Sequence, residues 1–140
     1  MNNYKKGGFT LIESLVVVTM MMVIIAAAVS SYSAANKKNR DNKRLADLDR
    51  IRMALEMYRQ NDPTGKYPTD SNNQPVGLSP GFIDGWPSDP SPSRQYVYEQ
   101  LTAYTYRIGA WTETGITNGT SFGDCDTVGS TPCNYVVTNP

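Results

Sequence analysis

The chain opens with a short polar stretch, Met-Asn-Asn-Tyr-Lys-Lys-Gly-Gly, and turns apolar from Phe9 to Val29, where only Thr10, Glu13, Ser14 and Thr19 interrupt the run. Roughly 21 residues at about 1.5 Å each cover the roughly 30 Å of bilayer hydrocarbon, so the segment can span a membrane as one helix. Lys5 and Lys6 would hold the residues before it on the cytoplasmic side during insertion. After the small residues Ser30 to Ala35 comes Asn-Lys-Lys-Asn-Arg-Asp-Asn-Lys-Arg at 36–44, too polar for hydrocarbon but without the Pro or Gly that would stop a helix. Leu45, Leu48, Ile51, Leu55 and Tyr58 then recur at spacings of three and four, with Asp47, Arg50, Glu56 and Arg59 on the other side. This predicts an amphipathic helix whose Leu and Met positions pack against a head. Pro63 pushes its predecessor out of the α region and Gly65 supplies a turn, which ends the helix. A single helix from about Phe9 to Gln60 would be roughly 75–80 Å long. With no Pro or Gly between Phe9 and Asp62, it should be continuous through Val23 to Ser33 rather than kinked.

Beyond the helix the pattern changes twice. From Asp62 to Arg94 the chain is rich in Pro, Gly, Ser, Asp and Asn and reads as a long ordered loop or a set of turns, anchored by Tyr67, Phe82, Ile83 and Trp86. Tyr96 to Tyr98 and Tyr104 to Trp111 then show the aromatic, period-two pattern of strands, with Tyr104, Tyr106, Ile108 and Ala110 expected on one face. Tyr135 to Thr138 is a last short strand. An α+β fold follows, a long N-terminal helix packed on a small antiparallel sheet.

Composition removes several functions. The 140 residues carry 13 basic and 13 acidic side chains, so no basic stripe offers itself to phosphate backbones and nucleic acid is not the default partner. There is no histidine, the side chain most used as a neutral-pH acid, base or metal ligand. Asp84, Asp89 and Glu99 are scattered among turns and show no spacing that argues for one acid–base site. No enzymatic activity is expected. The aromatic residues of the C-terminal half read as core and sheet packing rather than a sugar- or base-binding face. Cys125 and Cys133 read more readily as one bridge than as two thiols in an exported chain, the alternative being a pair of free buried thiols.

The informative anomaly is Glu13. A carboxylate at membrane depth costs about 2.5–3.5 kcal/mol on insertion scales unless something compensates. If the chain is cut between Gly8 and Phe9, a new α-amino group appears four residues before Glu13. A neighbouring subunit's amine could then pair with the carboxylate inside an apolar interior and set the register between subunits.

Gly8-Phe9-Thr10-Leu11-Ile12-Glu13 resembles the prepilin-type cleavage and methylation signature of type IV pilins and type II secretion pseudopilins. The resemblance implies a pilin-like fold and a membrane peptidase that cuts after Gly8. It further implies N-methylation of Phe9 and an assembly role for Glu13. The implied partners are identical and related pilin subunits in a helical polymer, the membrane, the prepilin peptidase and an assembly platform. Residues 1–8 are then a leader, residues 9–35 the membrane and filament-core half of the helix, and residues 36–140 a periplasmic or extracellular head. The precursor would be a single-pass protein of a bacterial-type inner membrane, and the assembled filament periplasmic or on the cell surface. Many such subunits carry a proline in the apolar helix where this chain has Ser30. The short loop between Cys125 and Cys133 is similar to the C-terminal disulfide loop of many pilins.

No cofactor is expected. Major pseudopilins typically hold calcium in a C-terminal loop, and Asp124 and Asp126 are the candidates here, but the run lacks further oxygen ligands and surface turn chemistry explains it better. Asn118-Gly119-Thr120 matches a glycosylation acceptor pattern common by chance. The first functional expectation is a structural subunit of a type IV pilus-like filament. Its alternatives are a major pseudopilin and, in a different class, a non-assembling membrane-anchored binding protein or enzyme. A secretory signal peptide ending near Ala26 to Ala28 would explain the apolar run but neither Glu13 nor the Gly-Phe junction.

Overall fold

The computed structural model describes residues 8–139, so the expected leader lies outside the described residues except for Gly8. Helix α1 runs Leu11–Asn61 without interruption. The chain divides between Asn36 and Lys37 into two compact units.

In the first unit every residue from Gly8 to Ala35 is exposed. An apolar helix with no covering of its own has the character of a membrane span, and α1 is long and apolar enough to cross a bilayer. Three of its hydroxyls turn back on the backbone. Thr19 Oγ1 donates to the Val16 carbonyl at 2.9 Å, Ser30 Oγ to Ala27 at 3.1 Å and Ser31 Oγ to Ala27 at 3.3 Å. Each donor is thereby satisfied where apolar surroundings offer no other partner. The helix is unbroken at Ser30, as the absence of Pro and Gly predicts.

The second unit is a head built on residues 37–61 of α1. Leu48, Ile51, Ala54 and Leu55 form the buried stripe. Against it packs a three-stranded antiparallel sheet, with two further strands in the preceding loop. The strands are β1 (Asp70–Ser71), β2 (Gln74–Pro75), β3 (Val97–Thr102), β4 (Thr105–Ala110) and β5 (Tyr135–Thr138). β4 is central in the order β3-β4-β5. The register pairs Tyr98 with Ile108 and Ile108 with Val137, so one face carries Tyr98, Tyr106, Ile108 and Ala110 toward the helix stripe. The other face carries Val97 and Val136 against Phe122, Cys125 and Cys133. The sheet is thus sandwiched between α1 and the C-terminal disulfide loop. Gly109 makes the second contact possible, because a Cβ there would stand 2.6 Å from the Phe122 ring and 2.9 Å from Cys133 Cβ.

Four expectations need correction. Asp47 is not on the solvent side: it is buried, and Tyr96 Oη donates to its Oδ2 at 2.9 Å. At about 100° per residue position 47 lies on the same stripe as 44, 48 and 51, and the phenol supplies the donor a buried carboxylate needs. Met53 and Met57 do not pack against the head; they are 59% and 48% exposed, on the side of α1 opposite the stripe. Tyr104 does not share the buried face, since it lies in the turn between β3 and β4 and is exposed. Finally, the loop after α1 contains the β1–β2 hairpin, whose turn is Asn72-Asn73 with φ of 51° and 62°, the left-handed geometry that two-residue hairpins require.

Candidate functional site

α1 begins where its cap is. Thr10 precedes the first helical residue, and Glu13 lies in the first turn. The Glu13 N–H donates to the Thr10 carbonyl at 3.1 Å and faces Thr10 Oγ1 at 3.4 Å, while the Thr10 N–H and hydroxyl each reach Glu13 Oε2 at 3.5 Å. This is a capping box: the hydroxyl serves the third N–H of the helix and the carboxylate reaches back to the cap residue's own N–H. Glu13 therefore rests over the positive end of its own helix dipole. Phe9 stands just before the cap, 84% exposed, and among the described residues nothing lies within 4 Å of where a Cβ on Gly8 would stand. Thr10 was missed as a contributor, although Thr10-Leu11-Ile12-Glu13 is the capping-box pattern immediately ahead of an apolar run.

In the head the polar candidates separate rather than converge. Asp84 is exposed, and Glu99 accepts from Arg107 Nε at 2.6 Å. Asp89 turns inward to Arg44, whose side chain and its own are fully buried. Arg44 also donates to Asp41 at 2.8 Å and to Glu113 at 3.0 Å, and Arg40 donates to Glu113 at 2.6 Å. Asp41 further accepts the Glu113 and Thr114 N–H groups and the Thr114 hydroxyl, the last at 2.7 Å. Burial pushes the Asp41 carboxyl up, but the Thr114, Glu113 and Arg44 donors outweigh it and hold it below the usual range. The Arg40 guanidinium, against opposing burial and with help from Arg44, holds Glu113 down to about 2. Charges this well paired stabilise the ionised forms and leave no acid or base poised for chemistry at neutral pH.

The C-terminal loop is closed by a disulfide between Cys125 and Cys133. Asp124 Oδ1 accepts the Asp126 and Thr131 N–H groups, each at 3.0 Å, and Asp126 Oδ1 accepts the Val128 N–H at 3.1 Å. The Val128 N–H bond is the first cause that holds the Asp126 carboxyl low, with the Arg94 charge beside it. Both carboxylates thus organise turns. Among the described residues no group of three or more His, Cys, Asp or Glu side chains is arranged to hold a metal ion. The amide of Asn118 clips onto Val136 of β5, donating to its carbonyl and accepting its N–H at 3.1 Å.

Residues 3–29 match the family model described as the prokaryotic N-terminal methylation motif, the signature of type IV pilins and pseudopilins. Neither the curated proteins nor the solved structures provide a match to the chain. The match is confined to the start of the chain, and the long apolar helix behind it fits a membrane-anchored precursor.

Proposed function

We propose that the chain is a subunit of a type IV pilus-like filament, held in the inner membrane by the apolar half of α1 and cut between Gly8 and Phe9. It is then N-methylated at Phe9 and added by an assembly platform to a helical polymer of identical and related subunits. The observation that carries this reading is the position of Glu13, a carboxylate at the start of the exposed apolar half of α1 and inside the methylation motif. Once the subunit enters an apolar filament core, the helix dipole offsets about 0.3–1 kcal/mol of a burial cost of about 2.5–3.5 kcal/mol. The remainder calls for a positive partner, which the new α-amino group of a neighbouring subunit's Phe9 supplies on cleavage. Pairing at that depth fixes how far one subunit stands along the filament from the next. The function is mechanical, and the head displays no chemistry of its own.

The C-terminal loop favours a pilus over a secretion filament. Its carboxylates accept backbone N–H groups and its ends are joined by Cys125–Cys133, so hydrogen bonds and a covalent bridge do the work that calcium does in a typical major pseudopilin. N-terminal sequencing of the mature protein tests the processing. A start at Phe9 supports the proposal, and a start near Val29 or Ser30, as signal peptidase would leave, overturns it.

A further inference from the structure

The basic residues that follow the apolar run fall into two sets. Arg40 and Arg44 are committed to Glu113, Asp89 and Asp41 inside the head. Lys37, Lys38 and Lys43 are exposed and form no ion pair among the described residues. At about 100° per residue, Lys38 and Lys43 lie about 100° and about 240° round the helix from Lys37. The three ammonium groups therefore fan around the stem instead of forming a patch on one side. A protein partner would meet only part of such a ring, whereas a layer of lipid headgroups meets all of it.

We propose that Lys37, Lys38 and Lys43 form a collar that binds the phosphates of anionic lipid headgroups on the non-cytoplasmic face of the bilayer, and so sets the depth of α1. The proposal rests on the reading that the apolar half of α1 spans a membrane. Two windows of roughly 21 residues fit the hydrocarbon, Phe9 to Val29 and Leu15 to Ala35. In the first, Glu13 sits in hydrocarbon and Lys37 lies about 12 Å beyond its edge, outside a headgroup layer about 5–7 Å deep. In the second, Lys37 and Lys38 fall about 3–5 Å beyond the edge, Lys43 stands about as far out as Lys37 does in the first, reaching back along its own stem, and Glu13 rests at the cytoplasmic headgroups. Residues 30–35 tolerate burial, because they are small apart from Tyr32, the hydroxyls of Ser30 and Ser31 are bonded to the helix backbone, and Tyr32 and Ser33 lie within about 5 Å of the window's edge. A lysine near an anionic surface contributes about a factor of five, so the net gain of two lysines favours the second window by about 25-fold. The collar thus holds Glu13 at the aqueous edge, where it can meet an incoming amine, until a subunit leaves the membrane.

The test places a polarity-sensitive fluorophore on Ser14→Cys in the full chain, with the native cysteines bridged and unreactive. The chain is floated on vesicles of phosphatidylcholine alone and of phosphatidylcholine with phosphatidylglycerol. Red-shifted, water-like emission that appears only with phosphatidylglycerol, and is lost in the combined Lys37→Gln, Lys38→Gln and Lys43→Gln variant, is the expected result. Equal emission from the native chain in both compositions, or a lipid-dependent shift that the triple variant keeps, overturns the collar alone. A chain that floats with neither vesicle overturns the membrane reading and the collar with it.

Discussion

Arg44 presents Nε and Nη2 to the two carboxylate oxygens of Asp89, each at 2.8 Å, with both side chains fully buried. The pair is a fork-on-fork contact, the geometry in which guanidinium and carboxylate bind most tightly. It ties the irregular segment after α1 back to the helix across 45 positions of sequence. Asp41 and Glu113 complete the neutralisation of the guanidinium.

Asp89→Leu leaves Arg44 paired with Asp41 and Glu113 but strands two buried guanidinium N–H donors, so it should lower the stability of the head by about 1–3 kcal/mol. Arg44→Met also takes a donor from Asp41 and Glu113, so the double variant should be less stable than Asp89→Leu but lose less than the sum of the two single losses. Chemical denaturation of the full chain in detergent, followed by tyrosine and tryptophan fluorescence, measures the cycle. Additive losses would show that the pair is not coupled.

The acidic groups set a lower pH limit. Asp41 and Glu113 are held below their ordinary values of 3.8 and 4.5 when folded, so as the pH falls the unfolded chain takes up protons first. Their contribution is fully present above about pH 5 and is lost as the pH drops toward about 2. At the other end, burial raises the phenols of Tyr96, Tyr98 and Tyr106 above 10.0, so the unfolded chain releases protons first and stability falls above about pH 10. Denaturation midpoints taken across the pH scale should trace a plateau with both flanks. A head as stable at about pH 3 as at about pH 7 would contradict the acid arm.

Two buried phenols should respond oppositely to the same change. Tyr96 Oη donates to buried Asp47, so Tyr96→Phe strands an acceptor and should destabilise by about 1–3 kcal/mol. Tyr106 Oη is buried without a hydrogen-bond partner among the described residues, so Tyr106→Phe should be neutral or stabilising. Melting temperatures of the two variants decide it, and equal losses would contradict the assignment of partners.

The stem and the sheet were legible because both rest on periodicity. The three-and-four spacing of Leu48, Ile51 and Leu55 and the alternation of Tyr106, Ile108 and Ala110 survive into the structure unchanged. What escaped was set by partners far along the chain. Asp41, Arg44 and Asp47 occupy the buried stripe only because residues 45 to 73 positions away pair with them, and nothing local announces that. The β1–β2 hairpin escaped because its strands are two residues long and its turn uses Asn72-Asn73 in place of the glycine that usually signals one. Met53 and Met57 were misassigned by hydrophobicity, though their angle around the helix already placed them outside. Thr10 was in plain view, since a capping box needs no distant partner.

That cap makes Glu13→Gln the decisive variant. Glutamine keeps the capping box but carries no charge, so helix start and charge pairing are separated in one residue. If Glu13 acts by pairing with a neighbouring subunit's amine, the glutamine variant should be processed to Phe9, accumulate in the membrane with a folded head, and yield no filaments when cells are sheared. Filaments at the level of the native chain would show that Glu13 serves only to start its helix, and the charge-pair mechanism would fall.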